Sequence, residues 1–183
     1  MAHTSSIPSE SRHRGRQPSP THARKRTASG FVYRAEDGVD EYVRQIVDAA
    51  PMQIVDLERT GVHGAFIKAL SKRMDIPSSR IFRILGVPKA TAEAKALAGK
   101  MVAGQGGQAA IGLVRLLGIA QGLVADSTAR ESKGFDAARW LGQWIERPQP
   151  SLGGRKPADL INTPTGVDVV ARLLGSIASG SYQ

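Results

Sequence analysis

The sequence contains no cysteine and few aromatic residues. Without Cys among its 183 residues, the chain cannot hold a disulfide framework, a thiolate metal site or a cysteine nucleophile. Four Phe, two Trp and three Tyr argue against a large β-sandwich rich in aromatic side chains. We find no run of about 18 apolar residues and no apolar stretch after the first charges. We therefore expect neither a membrane span nor a secretory signal, and we expect a cytoplasmic protein.

Acidic residues are also scarce. Sixteen Asp and Glu stand against 25 Lys and Arg, which gives a net charge of +9 and favours an acidic partner such as nucleic acid. Six of the basic side chains lie in residues 1–30, where Glu10 is the one acidic residue. This stretch has too few large apolar residues to offset the entropy of ordering, so we predict that 1–37 is a disordered basic tail. It is either an arm that binds DNA phosphates or a solvated leader.

Arrangements of side chains suited to catalysis are scarce in the rest of the chain. His63 is the one histidine after the tail, no pair of histidines has zinc spacing, and no two carboxylates share an apolar setting. The glycine-rich segments 104–107 and 152–156 match no phosphate-binding motif and follow no predicted strand, so we interpret both as turns. The sequence predicts no enzyme, no cofactor and no metal.

Helical periodicity runs from Val39 to the C-terminus, and we find no convincing strand, so the predicted fold class is all-α. Thr163 followed by proline is a strong helix start, and Gly86 fits a left-handed helix end. The predicted helices span 39–50, 64–74, 77–85, 89 to between 99 and 104, 109–126 and 135–146, with a last helix after Thr163.

The helix at 109–126 is apolar around most of its circumference, which predicts a place in the core or in a dimer contact. Its Gly112, Gly118 and Gly122 each cost about 1 kcal/mol of helix stability relative to Ala, and they favour close approach of other helices. Trp140 and Trp144 lie one helical turn apart, a spacing more typical of core residues than of ligand-stacking residues.

Residues 64–98 have the order of a helix-turn-helix: a helix, a short helix, a tight turn at 85–88, and a recognition helix that begins near Pro88. A plain helical bundle would show a similar pattern. If the motif binds DNA, basic and hydroxyl side chains on the second and third helices are the candidate contacts. These are Arg80, Arg83, Lys89, Thr91 and Lys95.

The C-terminal segment carries a series of spaced motifs. In order, they are Trp140 before a hydrophobic residue, a proline, Leu152-Gly153-Gly154, Pro157-x-x-Leu160, Thr163-x-x-Gly166 and Leu174-x-x-Ile177-x-x-Gly180. The series closely resembles the toxin-binding domain of the Xre/MbcA/ParS antitoxins, which pair with RES-domain toxins in type II toxin–antitoxin systems. The segment 60–126 is similar, in fewer features, to the Xre-like helix-turn-helix half of the same antitoxins.

The resemblance implies an antitoxin with three parts: the basic tail at 1–37, a helix-turn-helix and dimerisation region at 38–126, and a toxin-binding domain at 127–183. It implies that a homodimer within a larger complex blocks the active site of an NAD-consuming RES toxin and represses its own operon by binding promoter DNA. The toxin-binding candidates that it implies are Arg172, Ser176, Ser179, Gly180, Ser181, Tyr182 and Gln183.

Two alternatives to these expectations stay open at this point. The C-terminal residues 179–183 could simply fray, as chain ends often do. The whole chain could be a stand-alone helix-turn-helix transcriptional regulator without a toxin partner. The predicted recognition helix also departs from the family pattern, because it is rich in alanine where family members often have arginine.

Overall fold

The computed structural model describes Met1, residues 31–125 and residues 134–178. In these ranges it has eight α-helices, two short strands and two 3-10 turns, which confirms the all-α expectation. In chain order, the elements are α1 Val39–Val47, α2 Pro51–Thr60, β1 Val62–His63, α3 Gly64–Arg73, α4 Ser78–Ile84, α5 Lys89–Leu97, β2 Met101–Val102, α6 Gln105–Ala125, α7 Ala137–Trp144 and α8 Pro164–Ala178, with the 3-10 turns Pro150–Leu152 and Pro157–Asp159 between the last two helices.

Two described residues of the segment 1–37, which was predicted to be a disordered tail, pack against the hydrophobic core. Phe31 and Tyr33 are half-buried, and the ring of Tyr33 lies 5.5 Å from that of Tyr42 and 5.4 Å from that of Phe66. Burial raises the pKa of Tyr42 to about 12. Phe31 and Tyr33 therefore pack against the core of the N-terminal half, while residues 2–30 of the predicted tail lie outside the described residues.

Helix α2 is an element that periodicity did not predict. Pro51 opens it at the first helical position, and the Gln53 side chain accepts a hydrogen bond of 3.0 Å from the Ala50 amide. Leu57 is its one buried residue. A single buried position gives no repeating apolar pattern. The sequence features that indicate this helix are therefore the proline and glutamine of its first turn.

The predicted order of helices in the helix-turn-helix is confirmed by α3, α4 and α5. Gly86 ends α4 with a φ of +68°, as its position predicted, whereas Pro77 precedes the first turn of α4 instead of forming part of it. Helix α5 stops at Leu97, earlier than predicted, because Gly99 takes a φ of +61° and turns the chain toward β2.

Two expectations about the segment between α5 and α6 were wrong. A strand is present: Val62 pairs with Val102 in an antiparallel register, and both side chains are buried. The glycine-rich segment 104–107, which was predicted to be a turn, is helical from Gln105 onward and begins α6. Gly107 fits at this point of α6 because it lies so close to the Val102 carbonyl that a side chain would collide with it.

Helix α6 is the centre of the fold, and α1, α7 and α8 all pack against it. A Cβ at Gly112 would lie 2.6 Å from a methyl group of Val167 on α8, and one at Gly118 would lie 2.6 Å from a methyl group of Val47 on α1. The predicted close approach is thus confirmed at these two glycines, while Gly122 has no such neighbour within 4 Å.

Helix α6 is long and apolar enough to cross a membrane by length and composition alone, although the sequence predicted no membrane span. Half of its most apolar 18-residue window is buried inside the protein. The exposed Arg115 lies in the middle of the helix. These features identify α6 as a core helix of a folded chain.

One hydrophobic cluster runs through the described residues without a break, from α1 to α8. Its largest fully buried members include Tyr42, Phe66, Phe82, Ile111 and Leu116. Because α8 packs on α6, this cluster crosses the predicted domain boundary near residue 126. The division into domains stays a prediction.

Candidate functional site

Helix α8 carries the predicted toxin-binding face, and its start is fixed by side-chain and backbone contacts. The Gly166 amide donates a hydrogen bond of 3.1 Å to the Thr163 hydroxyl, which confirms the predicted N-cap. One face of the helix is buried, through Val167, Val170, Leu173 and Leu174. The opposite face, with Thr165, Asp168, Arg172 and Gly175, is exposed.

The predicted toxin-binding residues fall into two groups. Arg172 is exposed on α8, whereas Ser176 is half-buried and donates a hydrogen bond of 2.7 Å to the Leu173 carbonyl. The other five, Ser179 to Gln183, lie outside the described residues. Their assignment to the toxin stays a prediction.

The loop between α7 and α8 is held by backbone hydrogen bonds. Gln149 is buried; its amide donates to the Arg155 carbonyl, and its own carbonyl accepts from the Gly154 amide, both at 3.0 Å. Gly153 has a φ of +64°, which confirms the interpretation of this segment as a turn. The Ala158 amide also donates to the Ile145 carbonyl at 2.9 Å, so the end of α7 lies close to the segment that leads into α8.

Four of the five predicted DNA-contacting residues are exposed or half-buried on α4 and α5, and their assignment to DNA stays a prediction. Arg83 on α4, and Lys89 and Thr91 at the start of α5, are exposed. Lys95 is half-buried further along α5. Within this group Lys89 lies 3.8 Å from Glu93, one helical turn away, so part of its charge is balanced locally.

Arg80, the fifth predicted DNA contact, is ion-paired with another residue of the protein. Its Nε and Nη2 donate hydrogen bonds of 2.5 and 2.9 Å to the Glu146 carboxylate, and both side chains are about three-quarters buried. The hydrogen bond with Arg80 is the main cause that lowers the pKa of Glu146. The same bond raises the pKa of Arg80. Arg80 therefore links α4 to the segment after α7.

Two more arginines connect the same two parts of the chain. Arg73 at the end of α3 donates to Asp40 at 2.9 Å and to Asp136 at 2.6 Å. Arg139 on α7 donates to Asp75 at 2.8 Å. The helix-turn-helix thus meets α7 through three ion-paired arginines.

Asp136 also caps α7. Its carboxylate accepts hydrogen bonds of 3.1 Å from the amides of Ala138 and Arg139, and the bond from Arg139 is the main cause that lowers the pKa of Asp136.

Sequence reasoning missed these ion pairs. The partners lie 33 to 66 residues apart, so no local spacing indicates them. Only the capping role of Asp136 could have been predicted, since Asp commonly precedes a first helical turn.

An aromatic stack lies at the start of α7. The ring of Phe135 is 6.1 Å from that of Trp140, and Trp140 stacks on Trp144 at 5.9 Å with an angle of 17° between the planes. Trp144 is buried, as predicted for a core residue, but Trp140 is half-buried and Phe135 is exposed.

The described residues hold no cluster of three His, Asp or Glu side chains that could bind a metal ion. The arrangement of α7 and α8 instead offers surfaces for contact: a polar helix face, an exposed arginine and a partly exposed aromatic stack. These are features of a protein interface.

Comparison with known proteins agrees with this description. Residues 135–180 match the family described as the Antitoxin Xre/MbcA/ParS C-terminal toxin-binding domain. The chain is also 30% identical over 165 residues to a protein from Sphingobium sp. (strain YBL2) named Prs ADP-ribosylating antitoxin. That similarity covers 88% of this chain and 96% of the relative.

This chain belongs to the Xre/MbcA/ParS antitoxin family. The resemblance found in the sequence motifs is therefore confirmed. The antitoxin carries a toxin-binding domain that includes α7, the connecting loop and α8, and its family is non-enzymatic. Its partner is a cognate toxin.

Proposed function

We propose that this antitoxin binds a cognate, NAD-consuming RES-domain toxin and blocks its active site through α8 and the residues that follow it. The match of residues 135–180 to the toxin-binding domain carries this proposal. The blocking residues would be Arg172, Ser176, Ser179, Gly180, Ser181, Tyr182 and Gln183.

The chemistry assigned to the toxin has support from the Sphingobium relative. Its name refers to ADP-ribosylation, a reaction in which NAD donates the ADP-ribose group. A toxin that consumes NAD needs a cleft for this dinucleotide. A short polar segment with one tyrosine, as at the end of this chain, has the size and hydrogen-bonding groups to occupy such a cleft.

The position of α8 also supports a blocking role. Its inner face is buried against α6, so the helix is firmly held, and its outer face is exposed. A rigid helix that delivers a short segment loses little conformational entropy when the segment binds. Arg172, on the outer face, adds a positive charge that suits the phosphate groups or acidic residues of a dinucleotide site.

We further propose that the antitoxin acts in the cytoplasm as a homodimer and represses its own operon. Helices α3 to α5 would contact the promoter through Arg83, Lys89, Thr91 and Lys95. Binding of the full-length protein to DNA from upstream of its operon, measured by fluorescence anisotropy, tests this part. Equal affinity for unrelated DNA would contradict specific repression.

Co-expression with the neighbouring gene, which we expect to encode the RES toxin, tests the proposed inhibition. The full-length antitoxin should restore growth, co-purify with the toxin and stop NAD consumption by the purified toxin. Deletion of residues 179–183 should leave the complex intact but allow NAD consumption even when the antitoxin is in excess, because the segment that fills the cleft is gone.

Deletion of residues 2–30 is the matched control, since it removes a terminal segment from the other end and should leave inhibition unchanged. Full inhibition by the antitoxin without residues 179–183 would refute the blocking role. If the full-length chain neither binds nor inhibits the toxin, a stand-alone transcriptional regulator becomes the better description.

A further inference from the structure

The toxin-binding domain exposes one large apolar side chain within its described residues, 134–178. This is Phe135, which is 44% exposed. Its ring packs beside the half-buried Trp140, which in turn stacks on the buried Trp144. Phe135 and the exposed part of Trp140 form a continuous surface, which we name the aromatic patch.

Helix α8 runs in the same direction as α6. Gln105 at the start of α6 donates a hydrogen bond of 3.0 Å to the Asn162 carbonyl, Gly112 packs against Val167, and Arg115 lies 4.0 Å from Asp168. Residues later in α6 therefore contact residues later in the segment 162–168. The last turn of α8 therefore lies toward the C-terminal end of α6.

Helix α7 runs in the opposite direction. Its C-terminal end is bonded to the segment before α8, through Ile145 and Ala158, and α7 packs against α6. Its N-terminal end, with Phe135, therefore points toward the C-terminal end of α6. The aromatic patch and the last turn of α8 thus lie toward the same end of the molecule.

The aromatic patch is held in place before any partner binds. Trp144 is buried and supports the Trp140 ring, while Asp136 fixes the first turn of α7 next to Phe135. Aromatic side chains that are already ordered lose little entropy on binding, and Trp is among the residues that most often dominate interface energy.

We propose that the aromatic patch is the anchor that holds the toxin, while the segment after α8 blocks the active site. The proposal rests on the proposed function. The occupant is the toxin, because the patch lies within the matched toxin-binding domain and toward the end from which the proposed blocking segment leaves α8. Binding and blocking would then depend on different residues of one surface.

Calorimetric titration of the full-length antitoxin with its purified cognate toxin tests this division. Phe135→Ala should raise the dissociation constant at least tenfold. At a concentration that saturates the toxin, this variant should still stop NAD consumption. Phe135→Tyr should restore most of the affinity, since it keeps an aromatic ring at the same place.

Met52→Ala is the matched control, because Met52 is a 67% exposed apolar residue on α2, far in the chain from the toxin-binding domain. It should leave the dissociation constant within twofold of the wild type. Thermal melting of each variant checks that the fold is kept.

An affinity of Phe135→Ala within twofold of the wild type would overturn the anchoring role while leaving the proposed inhibition intact. Loss of inhibition at saturation would overturn the separation of binding from blocking. Failure of the wild type itself to bind would instead count against the proposed function.

Discussion

The ion pair between Arg80 and Glu146 leads to a prediction that separates a structural role from a DNA contact. Arg80 was a candidate phosphate ligand by sequence, yet its guanidinium faces Glu146 at 2.5 and 2.9 Å. We expect the variants Arg80→Ala and Glu146→Ala to destabilise the protein, and the double variant to cost less than the sum of the two single changes.

The size of the coupling follows from the geometry. Hydrogen bonds that involve a charged group contribute about 1.5 to 3 kcal/mol, whereas fully exposed pairs contribute about 0.2 to 1 kcal/mol. The two side chains are 26% and 27% exposed, so we place the coupling between these ranges, at about 1 to 2 kcal/mol. For a chain of this size, each single variant should lower Tm by about 2 to 8 °C.

Urea unfolding of the four proteins gives the coupling energy. The salt dependence of DNA affinity gives the second readout, with Arg83→Ala as the control from the same helix. Arg83→Ala should lower the slope of log K against log salt by about 0.9, the effect of one lost phosphate contact, while Arg80→Ala should leave it unchanged. A coupling below about 0.3 kcal/mol, or an equal loss of slope in both variants, would refute this reasoning.

Two further predictions concern the contact between the helix-turn-helix and α7. Gly142→Ala should lower the free energy of unfolding by about 1 to 3 kcal/mol, because a side chain there would collide with the Met74 carbonyl. Gly122→Ala on α6, where a Cβ would have no such neighbour within 4 Å, should raise it slightly. Thermal melting that ranks Gly142→Ala at or above the wild type would contradict this expectation. The lowered pKa values of Glu146 and Asp136 mean that their contribution to stability is present above about pH 4 and is lost as the pH falls through the lowered values. Urea unfolding should therefore show a steeper loss of stability below pH 4 in the wild type than in Glu146→Gln; parallel profiles would argue against this assignment.

The parts of the fold that were predictable from sequence depend on neighbouring residues. Thr163 and the proline after it place the start of α8, and Gly86 places the end of α4, because capping and left-handed turns need particular residues at particular positions. The apolar stripe of α1 repeats often enough to indicate a helix by itself.

The parts that were not predictable depend on residues far apart in the chain. The pairing of Val62 with Val102 and the helical turn at 105–108 both arise from packing of segments that meet only in the folded state. The site shows the same division. The outer face of α8 follows from its periodicity, but the ion pair between Arg80 and Glu146 does not.

The central position of α6 bears on how such antitoxins can be recombined. In a chimera joined between 126 and 133, the retained α6 would pack against a foreign α8, which would need a residue that fits against Gly112 as Val167 does. The retained Arg73 and Arg80 would also lose Asp136 and Glu146 as partners, because both acidic residues lie in the replaced segment. Transfer of toxin specificity from one antitoxin to another therefore requires that α6 and the arginines of α3 and α4 travel with the toxin-binding segment, so the unit of exchange is larger than the unit that contacts the toxin.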